Sequence, residues 1–78
     1  MTIIYTDHAE ENIRERKLIK QNIADVVKNP DKVIEGGFGR KIAQKVIGSK
    51  LLRVVYEKGE NNVYIIITAY YTEPERYG

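Results

Sequence analysis

Cysteine is absent from this 78-residue chain. That excludes disulfide staples, a thiol nucleophile and cysteine-based zinc sites together. There is one histidine, His8, and no acidic repeat of the calcium-loop type, so no metal or other cofactor is expected. Long apolar runs are missing as well. The longest, Val63 to Tyr71, is broken by Thr68 and falls far short of the ~20 residues that span a bilayer. Met1-Thr2-Ile3-Ile4-Tyr5 reads as a strand and carries no basic stretch ahead of an apolar one, as a secretory signal would. Gly36-Gly37-Phe38-Gly39 is not followed by Lys-Ser/Thr and opens no helix, which removes a phosphate-binding glycine loop. These absences describe a small cytoplasmic domain without staples, cofactor or membrane contact. The length allows one domain over residues 1–78 with one modest core, burying little more than half of the unfolded surface.

Charge is present, and it is unevenly distributed. Six Lys/Arg stand against seven Asp/Glu in residues 1–39, and seven against four in residues 40–78. Between Arg40 and Lys58 lie Arg40, Lys41, Lys45, Lys50, Arg53 and Lys58, opposed within that stretch only by Glu57. Such a segment suits a polyanion such as RNA, or an acidic protein.

Thr2-Ile3-Ile4-Tyr5-Thr6 is a β-branched run and predicts the first strand. Asp7 follows as an N-cap, paired with Glu10 in a capping-box pattern, for a helix from His8 to about Lys17. A second helix is predicted from about Lys20 to Asn29, with Ile23, Val26 and Val27 on one side. Asn29-Pro30-Asp31 ends it. Val33-Ile34 forms a short strand, and Gly36 to Gly39 a turn. Arg40–Ile47, Leu51–Glu57 and Val63–Tyr71 read as three further strands, the last apolar on both faces as a central strand should be. A two-residue turn at Gly48-Ser49 would put Lys41 and Lys45 on the face of Leu52 and Val54. A three-residue turn instead groups Ile42 and Val46 with Leu52, Val54 and Tyr56, leaving Lys41, Lys45, Arg53 and Glu57 outside, and is the preferred register. Arg40 then starts its strand on the apolar face, near a rim. Residues Glu73 to Gly78 read as an irregular tail. The expected class is α+β: two N-terminal helices packed on a twisted antiparallel sheet.

His8, Asn12 and Arg16 recur at i, i+4 and i+8 and therefore share a helix face. An imidazole exchanges protons near neutrality, and a guanidinium holds a charged phosphate, so the pair suits a phosphodiester. The competing reading is an amphipathic helix that buries Ala9 and Ile13 and solvates the rest. Thr68, followed by Tyr70 and Tyr71, offers hydroxyls to a phosphate and rings to a base, although tyrosines at a sheet rim also serve packing alone.

Taken in order, His8-Ala9, Glu15-Arg16, a second helix ending Asn29-Pro30, Gly39-Arg40, Leu52-Arg53-Val54-Val55-Tyr56 and Ile66-Ile67-Thr68-Ala69-Tyr70 resemble the domain of unknown function family 4258. That group is similar to the RelE/ParE toxins of toxin–antitoxin pairs. The resemblance implies a ribonuclease-like α+β fold and metal-independent cleavage of RNA, with His8, Arg16, Arg40 and Thr68 as the catalytic positions. It also implies a small acidic antitoxin as partner. An arginine is usual four residues after the histidine, and here that residue is Asn12. In the resulting expectation His8 transfers the proton and Arg16 and Arg40 stabilise charge on phosphorus. Thr68, Tyr70 and Tyr71 position the substrate, and Lys45 and Arg53 attract the RNA backbone. The alternative is a non-catalytic RNA- or protein-binding module of the same fold. Edge-strand pairing into a homodimer is a third expectation for so small a core.

Overall fold

In the computed structural model, which describes residues 1–77 and the side chains as far as Glu75, the chain runs through five strands and three helices. Strand β1 (Thr2–Tyr5) is followed by helices α1 (Asp7–Arg16) and α2 (Lys20–Lys28). Strands β2 (Lys32–Gly37), β3 (Arg40–Ile47), β4 (Lys50–Lys58) and β5 (Val63–Thr72) come next, and a helical turn, α3 (Pro74–Tyr77), closes the described chain. The sheet order is β1-β5-β4-β3-β2. The α+β class is as expected, but the sheet is mixed: β2 to β5 form an antiparallel meander, and β1 lies parallel to β5. The helical layer between β1 and β2 makes this topology available, because parallel neighbours need a long connection across one face.

Helix α1 begins one residue earlier than the capping pattern suggests. Thr6, not Asp7, is the N-cap, and its hydroxyl accepts from the Ala9 amide (3.1 Å). The same hydroxyl donates to the Ile66 carbonyl (3.0 Å), so the cap also fastens the helix to β5. Asp7 and Glu10 remain in the first turn, where negative charge suits the helix dipole. The helix ends in a Schellman motif: the amides of Lys17 and Leu18 return to the Arg14 and Ile13 carbonyls. Lys17 takes the left-handed position at φ 55°, which glycine occupies most easily. Leu18 then drops into the core. Helix α2 has no side-chain cap. It is held by tertiary packing of Ile23, Val26 and Val27, the side the periodicity identified.

Both helices cover one face of the sheet. Ala9, Leu18, Ile23, Val26 and Val27 meet Ala43, Leu52, Val54, Tyr56, Ile66 and Ala69 there. The β3–β4 hairpin corrects the expected register. Ile47 pairs with Lys50 across a two-residue turn whose Gly48 sits at φ 66°, so Lys41, Ala43 and Lys45 share the helix-covered face with Leu52, Val54 and Tyr56. Ile42 and Val46, expected in the core, lie on the open face, together with Arg40, Gln44 and Arg53. The reason is steric and electrostatic together. Ala43, completely buried, gives α2 a low surface to rest on, and Lys45 extends to Asp25 of α2 (3.0 Å). Strand β2 is longer than Val33-Ile34, and within the tail expected to be irregular Pro74–Tyr77 form the turn of α3, Gly78 lying outside the described residues.

Replacing Lys17 with Gly removes the left-handed strain at the end of α1. Lys17→Gly is expected to stabilise the fold by up to about 1 kcal/mol, read as an increase in the urea midpoint at unchanged m-value.

Candidate functional site

Strand β1 pairs only with Val63–Ile66, so among the described residues β5 has no strand neighbour on that side beyond Ile66. Helix α1 lies along this stretch and fastens it with side chains. Asn12, only 6% exposed, donates its amide to the Thr68 hydroxyl. One turn further on, Arg16 donates to the Ala69 carbonyl (2.7 Å). His8, one turn before Asn12, is exposed at the start of the same face. Of the four expected catalytic residues, Arg16 and Thr68 therefore lie at one seam between α1 and β5, and His8 is exposed on the same face of α1, two turns before Arg16.

Arg40 does not join them. It lies on the open face, two strands from β5, and its guanidinium pairs with Glu57 (3.1 Å). The expected substrate-binding residues are scattered in the same way. Lys45 is on the helix-covered face, bonded to Asp25. Arg53 is on the open face and 7% exposed; its Nε donates to Gln44 Oε1 (3.2 Å) and a terminal nitrogen to the Tyr70 hydroxyl (2.8 Å). Lys45 and Arg53 thus do not form one outward basic surface, contrary to expectation. Tyr70 belongs to this Gln44-Arg53-Tyr70 row across three strands. Tyr71 points the other way, opposite Leu52, and is partly exposed.

The basic stretch is largely neutralised by the fold. Arg40 meets Glu57, Lys41 meets Glu35, Lys45 meets Asp25 and Lys50 meets Glu73. Three of those four carboxylates come from outside the segment, where a count along the chain could not find them. The Asp25 carboxyl is held below its ordinary range first by the hydrogen bond from Lys45 and then by that from Asn29. The Lys41 ammonium is raised, chiefly by its hydrogen bond to Glu35. Burial raises the Tyr56 phenol, reinforced by Tyr64, whose ring lies 5.4 Å away. Among the described residues no group of three or more His, Cys, Asp or Glu is placed to hold a metal ion. No described helix is long and apolar enough to cross a membrane.

Residues 5–71 match the family described as "Domain of unknown function (DUF4258)". The chain belongs to the DUF4258 family. The match begins at the last residue of β1 and takes in α1, α2 and every strand through Tyr71, so the α1–β5 seam lies wholly inside the DUF4258 region. No curated protein and no solved structure matches the chain.

Residue-by-residue reading missed Thr6, Gln44 and Asp25. Only Gln44 left a signal, as a polar residue between apolar neighbours in a strand, and its meaning depends on facing Arg53. Asn12 was visible as a member of the His8-Asn12-Arg16 row and as the missing arginine, but not as a bond to Thr68. Its place in this DUF4258 domain is structural: a buried amide that satisfies a strand hydroxyl.

Asn12→Ala is expected to cost about 1–3 kcal/mol by leaving the Thr68 hydroxyl without its partner; urea unfolding measures it, and a smaller loss in a Thr68→Val background identifies the pair. The Asp25–Lys45 pair adds a pH dependence. A lowered carboxylate contributes stability that is fully present above its ordinary value of 3.8 and is lost as pH falls through the lowered value. Lys45→Met is expected to move the Asp25 titration upward in carboxyl NMR and to flatten the acid limb of the stability profile.

Proposed function

We propose that this domain cleaves RNA at the α1–β5 seam, without a metal, as the toxin-type resemblance implies. The observation that supports it is that Thr68 and Ala69 of β5, distant in sequence, lie against the face of α1 that carries Arg16 and, two turns earlier, His8. In the proposed reaction the 2′-hydroxyl attacks the adjacent phosphorus and the bond to the 5′-oxygen breaks, leaving a 2′,3′-cyclic phosphate and a 5′-hydroxyl. His8 takes the 2′-hydroxyl proton or supplies the one the 5′-oxygen needs, with water serving the other step. Arg16, anchored at the Ala69 carbonyl, faces the charge that develops on phosphate. Arg40, Lys45 and Arg53 have no part in it. A toxin role, with an antitoxin that covers the seam, belongs to the same proposal.

A second reading, a non-catalytic binding module, is favoured by the neutralisation of the basic stretch. Four of its six cations are ion-paired, and Arg53 is buried. A surface organised in this way has little long-range pull on a polyanion.

Purified protein is incubated with a mixed single-stranded and structured RNA pool in chelator, beside His8→Ala and Arg16→Ala. The expected result is cleavage with cyclic-phosphate ends, reduced at least about 100-fold in His8→Ala at unchanged unfolding midpoint. Undiminished cleavage in both variants removes the mechanism. Absence of cleavage by the wild type supports the second reading: a protein-binding module if RNA is not retained in a binding assay, an RNA-binding one if it is.

A further inference from the structure

Phe38 is fully exposed at the tip of the β2–β3 hairpin. It sits at φ 53°, between Gly37 at φ 80° and Gly39 at φ 76°. A bulky residue in the left-handed region is unfavourable, and Asn or Gly would form the turn at lower cost. The ring also gains nothing from burial within its own chain. Neither folding nor solubility accounts for it.

Strand β2, which leads to this tip, ends the sheet order and, among the described residues, has no strand on its outer side. Five of its six residues are exposed. The β5 edge beyond β1 is fastened by α1, but β2 offers free amide and carbonyl groups beside Val33 and Ile34. At the opposite end of β2 from Phe38 lies a cleft of about 250 Å³. Asp31, Lys32 and Gln44 form its polar side, and Val46, Leu51 and Pro74 its apolar walls. The Val46 amide donates to the Asp31 carboxylate (3.0 Å), and its side chain is exposed there.

We infer that two copies of this chain pair through β2, each inserting Phe38 into the cleft of the other. Antiparallel pairing about a two-fold axis reverses the strand, so the tip of one copy meets the base of its neighbour. The register that sets Ile34 against itself brings Phe38 to the Pro30–Asp31 end, at the cleft mouth. In-register parallel pairing would instead set Lys32 and Glu35 each beside its own copy. A stable interface needs on the order of 1,200 Å² in total. Two inserted phenylalanines contribute roughly 150–250 Å² each, and the two paired edges with their cleft walls supply the remainder. The dimer therefore belongs at the small end of the range, among weakly associating interfaces. It uses neither His8 nor Arg16 and stands whether or not the domain cleaves RNA.

Sedimentation equilibrium of the full chain from about 1 μM to about 1 mM reads the association directly. The expected mass rises from the 9.0 kDa of one chain toward twice that value. Phe38→Asn, which suits the left-handed turn, and Val46→Glu, in the cleft wall, are each expected to weaken association at least tenfold at unchanged far-ultraviolet circular dichroism. A monomer over the whole concentration range overturns the proposal. So does a dimer indifferent to both variants, which would use another surface.

Discussion

Strand β1 is shorter than the strand it accompanies. It has four residues against ten in β5, and among the described residues it leaves the second half of β5 without a strand on the side away from β4. Unpaired strand groups beside a core are costly, and here the remedy is a helix instead of a strand. Thr6 turns the chain from strand into helix while bonding Ile66, and Asn12 and Arg16 then reach Thr68 and Ala69 at successive turns. The direction of α1, the place of Ala9 and Ile13 over the core and the exposure of His8 all depend on this attachment.

The same attachment defines what chemistry the domain can offer. Arg16 is held at the seam by one carbonyl, and Thr68 is occupied by Asn12, so the seam is ordered before any ligand arrives. Pre-ordering of this kind suits catalysis, where reorganisation would raise the barrier. It also suits a purely structural role, since the same bonds close an edge.

Charge is handled by the fold as a whole. Cations of the β3–β4 hairpin meet carboxylates on β2, α2, β4 and the segment before α3. Each exposed pair adds little stability. Together they reduce the basic field that the hairpin would otherwise project. On the open face the nearly buried Arg53 guanidinium donates to the Gln44 amide oxygen and the Tyr70 hydroxyl. On that face, exposed Val46 and the hairpin tip at Phe38 remain as apolar surface.

Local chemistry determined a large part of this structure. The periodicity of Ile23, Val26 and Val27 identified the buried side of α2, because helical spacing alone sets which side chains share a face. β-branched runs between glycine and asparagine turns located the strands, and the i, i+4, i+8 spacing put His8, Asn12 and Arg16 in one row. Three matters needed the tertiary structure. The hairpin register depended on α2 resting on Ala43 with Asp25 placed to receive Lys45, and neither lies within the hairpin's own sequence. The N-cap moved to Thr6 because its hydroxyl also had a strand carbonyl to satisfy. The separation of Arg40 from His8 and Arg16 followed from the sheet itself, since a one-residue change of register carries a side chain to the other face. Spacing along the chain records neighbours within an element; it holds no information about which side of a sheet a distant element will cover.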